Sequence, residues 1–296
     1  MSCTTILRTT IAEMPELPPA PTRLRQIALV TQDLKRATHL LTTIFGTEVV
    51  FIDPGVSKWG LENILVAIGG DIIEVVAPFE KDTTAGRLLA KRGQGGYMII
   101  MQTLDATTRR KYLEESELAK VIYGHEHDGI ACVQYHPKGI LGGMMPELDS
   151  HAPTPDNPTP LATPYSPWHA CGKDYASYSA GMKRCAHLKL LGATCRLAVR
   201  DNDTGRAAQQ WERLFGVERQ HSELVFANAR ITFVPGVSRR HEGLESITIG
   251  VHGEQRLEKV REAADQLGLW DGGCISMLGI EWNVVLLDEE PVKSRL

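Results

Sequence analysis

The pattern of hydrophobic and polar positions repeats along the chain at a fixed offset of 170 residues. Each copy consists of an apolar strand, an acidic residue, an amphipathic helix and a Phe-Gly pair. An acidic side chain can cap the N-terminus of a helix, and Gly adopts the left-handed conformation that ends one. The shared register predicts one supersecondary unit that is used twice. The matched residues are Leu29, Asp33, Ala37, Leu41, Phe45 and Gly46 in the first copy and Val199, Asp203, Ala207, Trp211, Phe215 and Gly216 in the second.

The same pattern predicts two βαβββ modules in each half of the chain, and those of the first half are offset by 72 residues. The first module begins with a strand at 23–31, and its helix ends at Gly46. The pair Gly69-Gly70 predicts a tight hairpin turn between two of its strands. The other predicted strands are 48–52, 61–68, 71–76, 97–103, 129–135, 143–148, 223–228, 230–234, 274–277 and 282–287, and the other helices include 105–118 and 256–267.

The composition changes between residues 149 and 182, where six prolines and many Ser, Thr and Tyr residues occur. This composition predicts an extended linker that packs little, with Trp168 on a domain surface. We therefore divide the chain into an extended N-terminal arm at 1–22, a first domain at 23–150, a Pro-rich linker at 151–184, a second domain at 185–290 and a tail at 291–296.

The charge balance of 32 basic and 36 acidic residues gives no basic face for nucleic acid. No apolar run is long enough to span a membrane, so we expect no membrane partner. The six scattered cysteines predict reduced thiols. The C-terminal Ser294-Arg295-Leu296 resembles a peroxisomal address, which makes the predicted location cytoplasmic or peroxisomal.

Four βαβββ modules in two pairs resemble the vicinal oxygen chelate superfamily, which includes glyoxalase I, methylmalonyl-CoA epimerase, extradiol dioxygenases and bleomycin-resistance proteins. The resemblance implies an α+β fold in which each pair of modules curls a mixed sheet into a cup around one site. It is closest to the glyoxalase-like branch near the methylmalonyl-CoA epimerases. The stretches that carry it are Gly60-Leu61-Glu62-Asn63, Ile73-Glu74-Val75-Val76-Ala77-Pro78, Gly95-Gly96-Tyr97-Met98, His136-Pro137-Lys138 and Gly142-Gly143.

In the metal-using relatives, four side chains converge inside the cup. The resemblance places Gln26, Glu74, Met98 and Glu147 at these positions. The oxygens of Gln26, Glu74 and Glu147 would suit a divalent ion such as Mg, Mn or Zn. Met98 stands where relatives have a histidine, and a thioether binds hard ions poorly. The alternative interpretation of Met98 is an apolar residue of the cavity wall.

The resemblance also makes Glu74 and Glu147 the candidate catalytic groups. A carboxylate on the cup face would be partly desolvated, which raises its pKa and allows proton transfer at neutral pH. The alternative interpretation of Glu74 is an exposed polar residue on a half-solvated strand.

Four further residues are candidates for substrate binding. Trp59 and Asn63 would line the mouth of the cup, and Arg92 would attract an anionic substrate. His136 would either shape a loop or contact the substrate. Tyr97 alternates with Met98 along its strand and is expected to face away from the cup.

Other polar residues are weaker candidates for a functional site. His125-Glu126-His127 is expected in a polar surface loop, and His169 stands in the linker without a partner pair. In the second domain the positions that match the cup ligands form a degenerate set that is not a metal site. That domain would complete the architecture internally or carry a pocket of its own. The matching residues are Arg196, Thr232, Ser246 and Asn283.

Three functions remain open at this point. The first is a lyase or isomerase that abstracts a proton next to a carbonyl of a small oxygenated organic substrate, with or without a divalent metal. The second is a metal-free module that binds or sequesters a small molecule, in the manner of bleomycin-resistance proteins. The third is an extradiol-type dioxygenase, which requires two histidines and a carboxylate on iron. We expect a monomer or a homodimer.

Overall fold

The computed structural model describes residues 16–288. The C-terminal tripeptide and most of the predicted N-terminal arm lie outside this range, so their predicted roles stay predictions. The described part of the arm has no regular secondary structure, and its Leu17 and Pro18 carbonyls accept hydrogen bonds from Arg109. No helix among the described residues is long and apolar enough to cross a membrane.

The first half forms one mixed sheet of eight strands in the order β2-β3-β4-β1-β5-β8-β7-β6. Strands β1 and β5 pair antiparallel at its centre, and each pairs in parallel with the last long strand of its own module, β4 or β8. The two modules are thus related by an approximate two-fold axis. The strands are β1 (Arg23–Val30), β2 (Val49–Phe51), β3 (Leu61–Ile68), β4 (Asp71–Pro78), β5 (Gly95–Thr103), β6 (Val121–His127), β7 (Ile130–Tyr135) and β8 (Met145–His151).

The second half repeats the arrangement in a seven-stranded sheet of order β10-β11-β12-β9-β13-β15-β14. Within the described residues its last module has three strands instead of four. The α+β fold class of paired modules is confirmed. The strands are β9 (Leu188–Val199), β10 (Glu218–Gln220), β11 (Glu223–Val225), β12 (Arg230–Gly236), β13 (Gly243–His252), β14 (Ile275–Met277) and β15 (Ile280–Leu287).

The helices begin and end where the local sequence requires. Asp33 and Asp203 each accept a backbone N–H bond at a helix N-terminus, and Gly46 and Gly216 close the same helices with φ of 60° and 68°. The helices are α1 (Leu34–Phe45), α2 (Thr84–Arg92), α3 (Ala106–Glu115), α4 (Tyr175–Arg184), α5 (Thr204–Phe215) and α6 (Glu254–Gln266), with two 3-10 helices at Pro54–Trp59 and His169–Cys171.

One continuous hydrophobic core joins the two halves. It contains apolar residues of both large sheets together with the buried faces of helices α1, α3, α5 and α6. The rings of Phe45 and Trp282 lie 5.4 Å apart across it, and those of Tyr135 and Phe215 lie 5.5 Å apart. The opposite face of the first sheet is free of this core and forms the cup.

Two predictions for the connecting parts are wrong. The Pro-rich segment 152–187 does not simply pass over the surface, because it includes helix α4 and Trp168 is fully buried against the first sheet. The triplet His125-Glu126-His127 is exposed but belongs to strand β6, which pairs with β7 through backbone hydrogen bonds. Most side chains of this edge strand are polar, so the sequence pattern did not indicate a strand at this point.

Candidate active site

The cup encloses a cavity of about 640 Å³. The structure places all four predicted positions, Gln26, Glu74, Met98 and Glu147, on its wall. They share one face because side chains alternate along a strand and the register sets Ala28 opposite both Glu74 and Met98. The offset of 73 between Glu74 and Glu147 places them at equivalent positions, opposite Ala28 and Ile100.

The Glu74 carboxylate is held by two amide groups. Asn63 Nδ2 donates to its Oε1 at 2.6 Å, and Gln26 Nε2 donates to its Oε2 at 2.9 Å. Burial raises the pKa of Glu74 above its ordinary value, and the two hydrogen bonds oppose that shift. Glu74 is 9% exposed, and that remaining surface faces the cavity, so it is not the solvated strand residue of the alternative interpretation.

The amide of Gln26 has a fixed orientation. Its Oε1 accepts from the indole Nε1 of Trp168 at 2.8 Å, while its nitrogen donates to Glu74. The reverse orientation would set a donor against the indole N–H and an acceptor against the carboxylate. One lone pair of the Gln26 oxygen is therefore held by the indole, and the amide nitrogen, which cannot bind a metal ion, faces Glu74. The metal site predicted from Gln26, Glu74 and Glu147 does not fit this arrangement, and Met98 adds only a thioether.

Glu147 lies in a second polar corner of the cavity. Gln134 Nε2 donates to its Oε2 at 2.6 Å. Burial raises the pKa of Glu147 well above its ordinary value, and the negative charge of Asp149 raises it further. Cys132 faces Asp149 across the β7–β8 ladder, and His169 Nε2 lies 2.8 Å from Asp149 Oδ2.

These residues form a candidate metal-binding group. Cys132, Glu147, Asp149 and His169 each offer a ligand atom, and all four atoms lie within 4.8 Å of one another. The expectation that His169 has no partner is wrong, because the Pro-rich segment folds back and brings it to Asp149. Only the strand pairing and the path of this segment bring the four together, so no spacing along the chain could have indicated them.

Tyr97 lines the cavity beside Met98, which corrects the prediction that it faces away. A β-bulge in the β1–β5 ladder, between the pairs Ala28–Met98 and Leu29–Gly96, breaks the strict alternation of side chains. Burial raises the pKa of Tyr97 to about 12, and the negative charges of Glu74 and Glu147 contribute. The phenol therefore stays protonated at neutral pH.

The remaining predicted contacts divide into two groups. Trp59 lies at the mouth, 45% exposed and edge-on to Tyr123, and Asn63 lies deeper, beside Glu74. His136 and Arg92 lie outside the cup. For Arg92 this corrects the predicted substrate contact, whereas for His136 it fits the alternative in which the ring shapes a loop. The His136 ring closes a turn by accepting the Lys138 N–H at 3.0 Å, and Arg92 donates to the Gly143 carbonyl in a separate crevice of about 710 Å³ between the two halves.

The second sheet carries a different set of side chains. Arg196 forms an ion pair with Glu245 and donates to the His241 carbonyl. Thr232 lies 3.1 Å from the Thr194 hydroxyl, and Ser246 is buried. Within the described residues, the candidate metal-binding group draws no ligand from this half.

No protein-family model matches the chain, and no curated protein matches it significantly. Solved structures do resemble it. A variant of the Streptomyces coelicolor methylmalonyl-CoA epimerase in complex with 2-nitronate-propionyl-CoA is 21% identical, with 45% of this chain and 99% of the epimerase covered, at a TM-score of 0.40. The epimerase from Mycobacterium tuberculosis is 20% identical over 47% of this chain and 94% of its own, at 0.39.

A hypothetical protein from Staphylococcus aureus covers most of the chain. It is 12% identical, covers 90% of this chain and 100% of its own, and has a TM-score of 0.57. This likeness extends over both halves and supports the fold alone.

Proposed function

We propose that the protein is a small-molecule enzyme of the lyase or isomerase kind that removes a proton from the carbon next to a carbonyl group. One observation carries the proposal: the buried carboxylate of Glu74 faces the cavity of the cup and is held there by two neutral amide donors. Among residues 16–288, no positive side chain forms an ion pair with Glu74, so the carboxylate keeps its basicity. This arrangement suits a general base.

The proposed step needs few groups. The ionised Glu74 accepts the proton, and the electron pair of the broken C–H bond forms an enolate. Tyr97 lines the same cavity and, being protonated, can donate a hydrogen bond to the enolate oxygen. Return of a proton to the same position restores the starting carbonyl compound and gives only exchange with solvent, whereas return to the opposite face or to a neighbouring atom of the enolate completes an isomerisation. Gln26 and Asn63 position the base. Because the Gln26 amide is held by Trp168 and Glu74, the step is written with the side chains of the cup alone.

The cavity also limits the substrate. Its wall combines apolar residues such as Met98 and Val76 with a rim that carries Lys58 and Arg87 next to Asp53 and Asp82. A small oxygenated compound fits a cavity of about 640 Å³.

Solvent deuterium exchange tests the proposal directly. The protein is incubated in D₂O with a panel of small ketones, keto acids and thioesters, and exchange at the carbon next to the carbonyl is followed by NMR. We expect exchange with the wild type and a loss of roughly a hundredfold or more in Glu74→Gln, since a positioned base contributes on that order. Tyr97→Phe should be slowed with little change in binding.

Glu62→Gln is the matched control, because Glu62 is an exposed acid on the strand next to Glu74. It should exchange at the wild-type rate. If Glu74→Gln binds and exchanges like the wild type, the proposed base is wrong. If ligands bind to both proteins and neither exchanges protons, the cup is a binding module instead.

A further inference from the structure

We infer that Cys132, Glu147, Asp149 and His169 form a zinc site that fastens the Pro-rich segment 152–187 onto the first sheet. This group, the zinc corner, is distinct from the ligand set predicted at the centre of the cup and shares only Glu147 with it. The inference does not depend on the proposed reaction.

The strand register brings three of the ligands together. Cys132 on β7 pairs directly with Asp149 on β8, so the two side chains lie on the same face. Glu147 lies two residues before Asp149 and therefore shares that face. His169, from the 3-10 helix of the Pro-rich segment, covers the three from above and reaches Asp149 at 2.8 Å.

The spacing suits a small cation. The four ligand atoms lie within 4.8 Å of one another. A tetrahedral zinc ion with bonds near 2.0–2.3 Å holds its ligand atoms about 3.3–3.8 Å apart, so modest side-chain movements suffice. A thiol and an imidazole favour zinc over the hard ions Mg and Ca, which prefer all-oxygen ligands.

An unsatisfied atom points to a missing ligand. Asp149 is fully buried, and its Oδ1 has no hydrogen-bond partner within the described residues. Leaving such a carboxylate oxygen unpaired is costly. An ion in the zinc corner would satisfy it. Because Cys132, Glu147 and His169 also line the cavity, the ion has a path of entry from solvent.

A bound ion would stabilise the folded protein. The sheet supplies three ligands and the Pro-rich segment supplies the fourth, so a bound ion joins them by coordination bonds. A ligand that binds only the folded protein shifts the unfolding equilibrium toward the folded state. We expect zinc to raise the melting temperature of the wild type and to have little effect once His169 is removed.

The test uses the full-length protein purified without chelator and then loaded with zinc or cobalt. We expect close to one equivalent of zinc by elemental analysis. The cobalt form should show a thiolate-to-cobalt charge-transfer band in the near ultraviolet. Cys132→Ser should lose this band, and His169→Ala should weaken zinc binding by roughly tenfold or more.

Two matched variants serve as controls. Cys171→Ser removes a buried thiol from the same 3-10 helix, and His127→Ala removes an exposed imidazole from β6. Both should bind metal like the wild type. Circular dichroism confirms folding of every variant, and if Cys132→Ser does not fold, Glu147→Gln replaces it, with a zinc affinity weaker than that of the wild type as the expected result. If the folded wild type takes up no more metal than the ligand variants, the inference is wrong.

Discussion

At the scale of single residues, the cup combines a carboxylate with neutral partners. Asn63 and Gln26 each donate one hydrogen bond to Glu74, and Trp168 fixes Gln26 from the far side. The amides stabilise the ionised carboxylate without supplying a positive charge, so burial remains the dominant influence on the pKa of Glu74. Glu74 can therefore carry its negative charge and still bind a proton readily.

The raised pKa of Glu74 predicts a pH-dependent cost in stability. Between the ordinary pKa of the carboxyl group and its higher folded value, the native state binds more protons than the unfolded state, so stability falls as the pH rises. Glu74→Gln removes this titration. We expect the free energy of unfolding of the wild type, relative to the variant, to decrease from pH 4 toward neutral pH.

Urea unfolding of both proteins at several pH values measures this difference. The variant also loses one hydrogen bond, because an amide offers a single oxygen to two donors. That loss is constant with pH and does not obscure the trend. A difference that stays flat, or that grows in favour of the wild type with rising pH, contradicts the prediction.

The sequence could locate some of these residues and not others. The family resemblance places Gln26, Glu74, Met98 and Glu147 in the cup, and the internal repeat supports that placement, because equivalent strands present equivalent positions. Tyr97 could not be placed, since a bulge changed the face to which it points. Cys132 and His169 depend on strand register and on a long-range contact, and neither leaves a local pattern in the sequence.

At the scale of elements, strands with clear apolar alternation were predicted well. The bounds of β3 and the Gly69-Gly70 turn agree with the prediction. Strand β6 was missed because it is an edge strand whose side chains are mostly exposed. Helix α4 was missed because the surrounding prolines and hydroxyl residues indicated an extended chain. In each case a tertiary contact outweighed local propensity.

The buried indole of Trp168 predicts a strong dependence on the Pro-rich segment. Its ring is fully buried, hydrogen-bonded to Gln26 and stacked against His151 and Arg25. We expect Trp168→Ala to destabilise the protein by about 3–5 kcal/mol, as for other large aromatic deletions in a core. Equilibrium denaturation measures the loss.

Trp59→Ala is the control, since this indole is 45% exposed at the mouth of the cup. Its effect should stay within about 0.5 kcal/mol, as for surface positions in general. If Trp168→Ala loses as little stability as Trp59→Ala, the Pro-rich segment contributes little to the fold.

At the scale of the whole molecule, the two sheets share one core. The ring pairs Phe45–Trp282 and Tyr135–Phe215 cross from one half to the other, and Trp211 Nε1 donates to the Leu141 carbonyl at 2.8 Å. Helices α1, α3, α5 and α6 all bury residues in this common core. The repeat predicted two similar units but carried no information about how their helices would pack together.

This shared core predicts that the two halves unfold together. Two independent domains would show separate transitions, whereas a common core couples them. We expect one transition in calorimetry and superimposable denaturation curves by tryptophan fluorescence and far-ultraviolet circular dichroism. Two resolved steps would contradict this view of the core.

The Pro-rich segment forms part of the wall of the cup, and this limits which fragments of the protein can be transferred into another protein. A graft of residues 23–150 into a foreign host would leave the Gln26 amide facing water where the Trp168 indole now lies. A working transplant must therefore extend at least to Cys185, which packs against the same face. In a natural homologue that lacks this stretch, we expect a bulky side chain of the sheet itself to fill the volume that the Trp168 indole occupies here.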